Sequence, residues 1–427
     1  MRLQNPHPLL MKKLLTTLLY ALCFAAVLHA QTPTPELAYI SNSGSNNVSV
    51  INMATNTVIA TIAVGVQPIG VSVSPDGNVV YVANYNSNNV SVINTTTNAV
   101  TATVAVGIYP DGVSVSPDGS RVYVANYVSN NISVINTATN AVIATIAVGS
   151  YPGGVSVSPD GSHVYVANYV SSGNVSVINT ATNTVIATVA VGTAPIGVSV
   201  SPDGSHVYVA NYGSGSVSVI NTVTNTVIAT VAVGVEPIGV SVSPDGSRVY
   251  VANLTSGNVS VINTATNTVI DTVAVGLQPI GVSVSPDGSR VYVANRISGS
   301  VSVINTATNT VIATIAVGTY PQAFGNFIKA GSTVSTENVT PETINQGLDI
   351  KLYPNPTQGQ FTLTAENNAV LENATVVIYN LLGQVVTKQI VSGRTATLDL
   401  TNQPQGMYFV QLRTENGNEI TKKIQKM

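Results

Sequence analysis

Short runs of alternating apolar and small polar residues fill most of the chain, and each run ends at Pro, Asp, Gly or Asn. One representative unit contains four such runs, at 112–116, 121–126, 131–136 and 141–148. A period of two is typical of β-strands, whereas a helix repeats its apolar positions every 3.6 residues. The pattern therefore predicts four short antiparallel strands, here called A to D, joined by tight turns.

This unit recurs with a nearly constant period. Its Ser-Pro-Asp-Gly turn begins at Ser74, Ser116, Ser158, Ser201, Ser243 and Ser285, a step of 42 residues and once of 43. Four antiparallel strands in a repeat of this length are typical of one blade of a β-propeller. Strands B, C and D occur seven times, because one such set precedes the first A strand, and a degenerate seventh A strand follows at 323–328. We expect an all-β, seven-bladed propeller over 36–328, closed by pairing of the N-terminal strands with the C-terminal one.

The repeat resembles the YVTN family of seven-bladed propellers, which occur in bacterial and archaeal surface proteins. The matching motifs are Tyr-Val-Ala-Asn, Asn-Val-Ser-Val-Ile-Asn, Val-Gly-x-x-Pro and Val-Ser-Val-Ser-Pro-Asp-Gly. The resemblance implies the propeller fold. It implies no particular chemistry, because the repeated residues build the blade.

The N-terminal segment has a different pattern. Met11 and two lysines precede an apolar run over 14–28, and small residues end it at Ala30. This order predicts a secretory signal peptide over 1–30, with Met11 as an alternative start. The run is shorter than the ~20 residues of a spanning helix, so no transmembrane anchor is expected. Cys23, the only cysteine, lies in this segment, which leaves the mature chain without a thiol or disulfide.

The C-terminal segment changes composition again. Ser, Thr, Glu, Asn and Gly predict a linker over 329–348, and alternating runs from 349 onward predict a small Ig-like β-sandwich. The tail resembles the type A sorting domain of the type IX secretion system of Bacteroidota, through Tyr-Pro-Asn-Pro at 353–356, Tyr-Asn-Leu-Leu-Gly-Gln at 379–384, Gly-Met-Tyr-Phe-Val at 406–410 and Lys-Lys-Ile at 422–424.

This second resemblance implies that 349–427 is recognised by the type IX secretion machinery. The propeller would pass the inner membrane with its signal peptide and then reach the outer cell surface or be released. The alternative is that the tail is an accessory Ig-like binding module.

Charge narrows the classes of partner. Charged residues make up 8% of the chain, against about 25% in ordinary soluble domains. Residues 36–328 contain four arginines and ten acidic residues, so the propeller carries a net charge of about −6. Binding of phosphate backbones requires clustered Lys and Arg. Nucleic acids and anionic membranes are therefore not expected as partners.

Differences between the repeats are concentrated at one end of the predicted ring. Antiparallel order places the A–B and C–D turns on one rim, which is nearly identical in every blade and is called the invariant rim. The B–C and D–A loops share the other rim, called the variable rim, where the residues before Pro and after the strand B Asn change. Loops that differ on a constant scaffold are typical of a binding face.

Tyrosines are concentrated on this variable rim. The predicted ligand-binding residues are Tyr85, Tyr109, Tyr127, Tyr151, Tyr169, Tyr212 and Arg296. A tyrosine ring offers a flat amphipathic surface to sugars and proteins. The hypothesis is an extracellular glycan or protein ligand, and the alternative is that each tyrosine only covers the core of its own blade.

No catalytic residues, metal site or cofactor are predicted. His163 and His206 are the only histidines after the signal segment, and both fall on the invariant rim. The aspartates of Ser-Pro-Asp-Gly are interpreted as turn residues. Asp111 and Glu236 differ from their counterparts but lie three blades apart, so a shared cation is the weaker interpretation. The chain is interpreted as a binding or structural module for adhesion or scaffolding. A lactonase-like or other extracellular hydrolase is the alternative, because seven-bladed lactonases share this architecture.

Overall fold

The computed structural model describes residues 35–331, 350–365, 371–380, 385–414 and 419–427. The predicted signal peptide and almost all of the predicted linker lie outside these residues. The chain divides into two compact units, Met1–Val334 and Ser335–Met427. Within the described ranges, no helix has the length and hydrophobicity that a membrane span requires.

Seven four-stranded antiparallel sheets form the first unit, as predicted. The innermost A strands of blades 2 to 7 are Pro68–Val73, Pro110–Val115, Pro152–Val157, Pro195–Val200, Pro237–Val242 and Pro279–Val284. The B strands of blades 1 to 7 are Leu37–Asn42, Val79–Asn84, Arg121–Asn126, His163–Asn168, His206–Asn211, Arg248–Asn253 and Arg290–Asn295.

The outer half of each blade consists of strands C and D. The C strands are Asn47–Asn52, Asn89–Asn94, Asn131–Asn136, Asn174–Asn179, Ser216–Asn221, Asn258–Asn263 and Ser300–Asn305. The D strands are Thr57–Ala63, Ala99–Ala105, Ala141–Ala147, Thr184–Ala190, Thr226–Ala232, Thr268–Ala274 and Thr310–Ala316. Single-turn 3₁₀ helices, Tyr85–Ser87 and Tyr212–Ser214, occupy two of the B–C loops.

Burial explains the composition of the strands. Strand B of blade 3, Arg121–Asn126, is buried at every position after the first, because neighbouring blades cover both of its faces. Strand D of the same blade, Ala141–Ala147, is exposed along most of its length and forms the outer edge. Val, Ile, Ala and Tyr therefore fill the buried strands, while Thr is tolerated at the edge.

The predicted turn chemistry of the invariant rim is present in the structure. The Ser116 hydroxyl donates to Asp118 Oδ1 (2.6 Å), and the Ser120 N–H donates to the same oxygen (3.0 Å). These hydrogen bonds hold the pKa of Asp118 below its usual value, and the hydrogen bond from Ser116 has the largest effect. Gly119 follows with φ +72°, a conformation that favours glycine. The carboxylate is therefore engaged in its own turn.

The C-terminal strand closes the ring, as predicted, but it is shorter than expected. An extended strand was predicted over 323–328, whereas the structure has only Ile328–Lys329, which pairs with the first two residues of Leu37–Asn42. Lys329 thus belongs to the propeller and not to the predicted linker. The extended run is interrupted at Gly325, whose backbone has φ +119°. Residues with a side chain rarely adopt this conformation.

The residues before this strand leave blade 1 and enter the axial channel. Phe324 forms a parallel bridge with Gly70 of blade 2, and the Val71 N–H donates to the Phe324 carbonyl (2.9 Å). The Phe324 side chain is 7% exposed, and the remaining cavity that it lines has a volume of about 20 Å³. The innermost strand of blade 1 is therefore partly replaced by a segment that plugs the channel.

The second unit is a small β-sandwich, in agreement with the predicted Ig-like tail. One sheet contains Ile350–Tyr353, Gln360–Ala365 and Thr395–Asp399, and the other contains Leu371–Tyr379, Val385–Gly393, Gly406–Arg413 and Glu419–Lys426. Buried residues of both sheets, among them Phe361, Leu398, Val376 and Leu412, form one hydrophobic core.

Candidate functional site

The loops of the variable rim interlock around the ring. In the D–A loop before blade 3, the Tyr109 N–H donates to Asn88 Oδ1 of blade 2 (2.9 Å). The Tyr109 carbonyl accepts from the Tyr127 N–H of blade 3 (2.9 Å). The same two kinds of hydrogen bond recur one blade later at Tyr151. Each such D–A loop therefore lies between the B–C loops of two successive blades and holds their side chains in a fixed order.

The residue before Pro in every D–A loop has a left-handed backbone. These residues have φ between 51° and 58°, and they are Gln67, Tyr109, Tyr151, Ala194, Glu236, Gln278 and Tyr320. None is glycine, although a side chain in this conformation costs about 1–2 kcal/mol. Strained backbone positions are often found at functional sites, and here their side chains differ from blade to blade. The variable rim is therefore a candidate functional site.

Six tyrosines predicted from the sequence lie in one continuous row, here called the tyrosine arc. The ring of Tyr85 stacks on that of Tyr109, with centroids 4.5 Å apart and planes 8° apart. The centroids of Tyr85 and Tyr127 are 6.4 Å apart, and those of Tyr127 and Tyr151 are 5.1 Å apart. Tyr169 continues the row.

The row ends in blade 5. The Tyr169 ring lies 6.3 Å from Tyr127 on one side and 6.0 Å from Tyr212 on the other. Ala194 occupies the D–A loop between these last two blades, so no seventh ring is inserted there. The arc thus extends over blades 2 to 5 as a surface of contacting aromatic rings.

The arc differs from the tyrosines of the blade cores. Tyr81 and Tyr123 of strand B belong to buried clusters, with 2% and 1% of their surface exposed. In the arc, by contrast, Tyr109 is 37% and Tyr151 is 46% exposed. The other four arc tyrosines are half-buried, so all six are more exposed than the tyrosines of strand B.

Arg296 lies elsewhere on the rim. Its guanidinium donates to Gln278 Oε1 (3.0 Å) and lies 5.1 Å from the ring centroid of Tyr320. Tyr320 occupies the same loop position as Tyr109 and Tyr151, and sequence reasoning did not select it. Its place before Pro was the signal that could have identified it. Arg296 and Tyr320 therefore form a separate cation–π pair.

The mouth of the axial channel on this rim is ringed by the residue that follows Pro in each strand A. Going round the blades from blade 2, these residues are Ile69, Asp111, Gly153, Ile196, Ile238, Ile280 and Gln322. Phe324 pairs with Gly70, one residue farther into the channel, so it forms a floor beneath this ring. The residues that ring the mouth are therefore mainly apolar.

Burial raises the pKa of three groups on this rim. Burial raises the pKa of Asp111 to about 7. The pKa of Tyr127 is raised to about 12, mainly by burial. Smaller contributions come from the neighbouring Tyr169, Tyr85 and Asp111. Burial, followed by a hydrogen bond to Glu236, raises the pKa of Tyr212 to about 12. The hydroxyls of these two tyrosines stay neutral at physiological pH, and that of Tyr212 is engaged with Glu236.

Other candidates weighed from the sequence have structural partners. His163 and His206 lie at the start of strand B on the invariant rim, where each ring contacts the preceding serine. Within the described part of the chain, no three His, Cys, Asp or Glu side chains are grouped as metal ligands.

Comparison with protein families agrees with the two-unit organisation. Residues 351–427 match the secretion system C-terminal sorting domain. Residues 136–233 match the lactonase family of 7-bladed β-propellers, and residues 12–119 match the YNCE-like β-propellers. The predicted resemblances to a seven-bladed propeller and to a sorting domain are thereby confirmed. Among curated proteins, none matches the chain.

Solved structures show the same fold. Hydrazine synthase of Kuenenia stuttgartiensis is 26% identical, with a TM-score of 0.59 over 66% of this chain and 99% of that chain. A functionally unknown protein of Desulfotomaculum acetoxidans is 18% identical, with a TM-score of 0.59 over 68% and 99% of the two chains. A candidate 6-phosphogluconolactonase of Bacteroides uniformis is 19% identical, with a TM-score of 0.60 over 70% and 100%. These similarities concern the architecture of the propeller.

Proposed function

Because the chain joins a seven-bladed β-propeller to a secretion-system sorting domain, we propose that it is an exported binding module of the cell surface. The sorting domain directs the chain to the type IX machinery, and the propeller binds an extracellular glycan or protein through the tyrosine arc. The molecule then serves adhesion or scaffolding.

The observation that carries this proposal is the row of six contacting tyrosines on the variable rim. An aromatic surface of this kind is typical of interaction sites, because each ring offers apolar area and a hydroxyl at little cost in side-chain entropy. Two of its rings stand on strained left-handed backbone, where glycine would be easier to accommodate. The rest of the repeat remains almost unchanged from blade to blade.

A matched pair of variants tests the binding face. The purified full-length chain is screened against arrays of glycans and of extracellular matrix proteins. The triple change Tyr109→Ala, Tyr127→Ala and Tyr151→Ala is expected to weaken capture of the bound ligand at least tenfold. Tyr320→Ala removes a ring from the same loop position outside the arc and is expected to leave capture unchanged. Equal capture by the wild type and the triple variant would reject the arc as the binding face.

Export is tested with the tail. A reporter carrying a signal peptide and residues 349–427 is expected to reach the surface of a host with a type IX system. The same reporter without the tail is expected to stay in the periplasm. Retention of both would assign the tail to another role, such as the accessory binding module.

A lactonase-like hydrolase is the second candidate, favoured by the match of residues 136–233 to the seven-bladed lactonases. The test is hydrolysis of lactone and ester substrates by the purified full-length chain. Turnover that survives the triple tyrosine change would place an active site away from the arc.

A further inference from the structure

One carboxylate interrupts the apolar ring at the channel mouth. In the position that follows Pro, blades 2, 5, 6 and 7 carry Ile, whereas blade 3 carries Asp111. The next position in the ring, Gly153, has no side chain, and a Cβ built there would lie 3.6 Å from Asp111 Oδ2 and 3.7 Å from Ile196 Cγ2. A space the size of a methyl group therefore lies between the carboxylate and Ile196, on the side of blade 4.

The Asp111 side chain has no partner of its own within the part of the chain that the structure describes. No hydrogen bond or ion pair to its carboxylate is found there, although the residue is only partly exposed. The turn aspartates, such as Asp118, each accept several hydrogen bonds. A partly buried carboxylate without a partner is costly, and the cost is relieved either by protonation or by a bound cation.

Aromatic rings stand beside this carboxylate. Asp111 lies two residues after Tyr109, whose ring stacks on that of Tyr85 with centroids 4.5 Å apart. After burial, the Asp111 charge also contributes to the raised pKa values of Tyr85 and Tyr127. Beneath it, Phe324 closes the channel. A carboxylate next to stacked aromatic faces suits a guanidinium or ammonium group, which gains an ion pair and a cation–π contact together.

We propose that Asp111 and the adjoining tyrosines bind a lysine or arginine side chain of a protein partner, whose extended chain lies along the tyrosine arc. This inference rests on the proposed function of the arc and specifies its ligand. It assigns a role to Asp111 that its counterparts in the other blades do not share.

The spacing of the rings favours a polypeptide. The successive centroids of Tyr85, Tyr127, Tyr169 and Tyr212 are 6.4, 6.3 and 6.0 Å apart. Alternate residues of an extended chain are about 6.6 Å apart and point to the same side. Side chains of an extended segment can therefore meet one ring after another, with its cation at the channel mouth.

The experiment uses the full-length chain and two capped pentapeptides, Ser-Thr-Arg-Thr-Ser and the same sequence with citrulline in place of arginine. Citrulline keeps the shape of arginine and removes its charge. Binding is followed by NMR of ring-labelled tyrosines. The arginine peptide is expected to bind at least tenfold more tightly than the citrulline peptide.

Asp111→Ile introduces the residue that blades 2, 5, 6 and 7 carry, whereas Asp111→Asn removes only the charge. Asp111→Ile and Asp111→Asn are expected to abolish the difference between the two peptides. Asp271→Ala is the matched control, because it removes a carboxylate from the outer D strand, where six blades have Ala, and it is expected to keep the full difference. Thermal melting of each variant verifies that it is folded.

The pH dependence supplies a second readout. Tyr85 and Tyr127, whose titration the Asp111 charge affects, both have a pKa raised above the usual value of a tyrosine and stay neutral in this range. Affinity for the arginine peptide is therefore expected to rise between pH 5.5 and pH 8.5 as Asp111 ionises, and to stay flat in Asp111→Asn.

Three outcomes would overturn the inference. Equal binding of both peptides by the wild type, or a charge preference that persists in Asp111→Ile, would remove the cation site. Binding of free butylguanidinium or of an amino-sugar oligomer as tight as that of the arginine peptide would exclude the polypeptide partner. In each case the proposed function of the arc stands unless the triple tyrosine variant also captures its ligand normally.

Discussion

At the scale of single residues, two adjacent glycines show how closely the blades meet at the axis. A Cβ at Gly154 would lie 2.3 Å from the carbonyl oxygen of Ile196, a main-chain atom that cannot move aside. At Gly153 the nearest atom would be 3.6 Å away, which is ordinary contact. The repeat can therefore vary at Gly153 and not at Gly154.

This contrast gives a stability prediction. Gly154→Ala is expected to destabilise the propeller by about 1–3 kcal/mol, because overpacking forces the main chain of blade 5 to shift. Gly153→Ala is expected to stay within about 0.5 kcal/mol of the wild type. The measurement is chemical unfolding of the full-length chain followed by circular dichroism. Equal destabilisation by both changes would contradict the packing at the axis.

The turn aspartates predict acid sensitivity. The pKa of Asp118 is lowered in the folded state, chiefly by the hydrogen bond from Ser116. Its contribution to stability is thus complete above its unfolded pKa of about 3.9 and is lost as the pH falls through the lower folded value. Asp118→Asn is expected to lower the melting temperature at pH 7 and to differ less from the wild type at pH 2. A constant difference at both pH values would contradict the role of the charge.

At the scale of elements, ring closure depends on a short segment. The buried side chains of Phe327 and Ile328 pack in the core of blade 1, and the Tyr39 N–H donates to the Phe327 carbonyl (2.9 Å). Phe324 joins the same segment to blade 2. The first and second blades are therefore held together by residues from the end of the propeller.

Deletion of 323–328 is expected to replace the single sharp melting transition of the propeller with a broad one at lower temperature, because blade 1 loses its inner strand. Phe324→Ala is the milder comparison. It keeps the pairing of Ile328–Lys329 and is expected to cost about 3–5 kcal/mol through the lost aromatic packing, with the transition still sharp. A sharp, unshifted transition in the deletion variant would exclude closure by this segment.

Repetition explains which elements were predictable. Strand B of blade 3 was predicted at 121–126, as observed, because its pattern is unambiguous in seven copies. Strand A was predicted from 112, but it begins at Pro110, because Pro110 pairs with Asn126 ahead of a register shift. The channel plug was missed, since 323–328 departs from the repeat and its partner Gly70 is distant in sequence.

The candidate site was predictable only in part. The six tyrosines were selected because they vary where the blades otherwise agree, and the structure shows that their rings touch. Asp111 was considered only for a cation shared with Glu236. Its place in the loop whose Tyr109 stacks on Tyr85 of the preceding blade depends on how loops of successive blades interlock, which a linear pattern does not contain.

At the scale of the whole molecule, an almost uncharged repeat presents one distinctive surface. Because charged residues make up only 8% of the chain, Ser, Thr and Asn cover much of the propeller, in which four arginines and ten acidic residues occur over 36–328. The two rims differ sharply in variability although the same strands support them. We therefore propose ligand binding at the variable rim and a structural role for the invariant rim.

Hydrogen–deuterium exchange of the full-length chain, with and without a captured ligand, tests this central claim most directly. Ligand binding is expected to slow exchange in the loops 85–88, 107–111, 127–130 and 149–153 and to leave exchange in the Ser-Pro-Asp-Gly turns unchanged. Protection confined to those turns, or to the outer D strands, would contradict it.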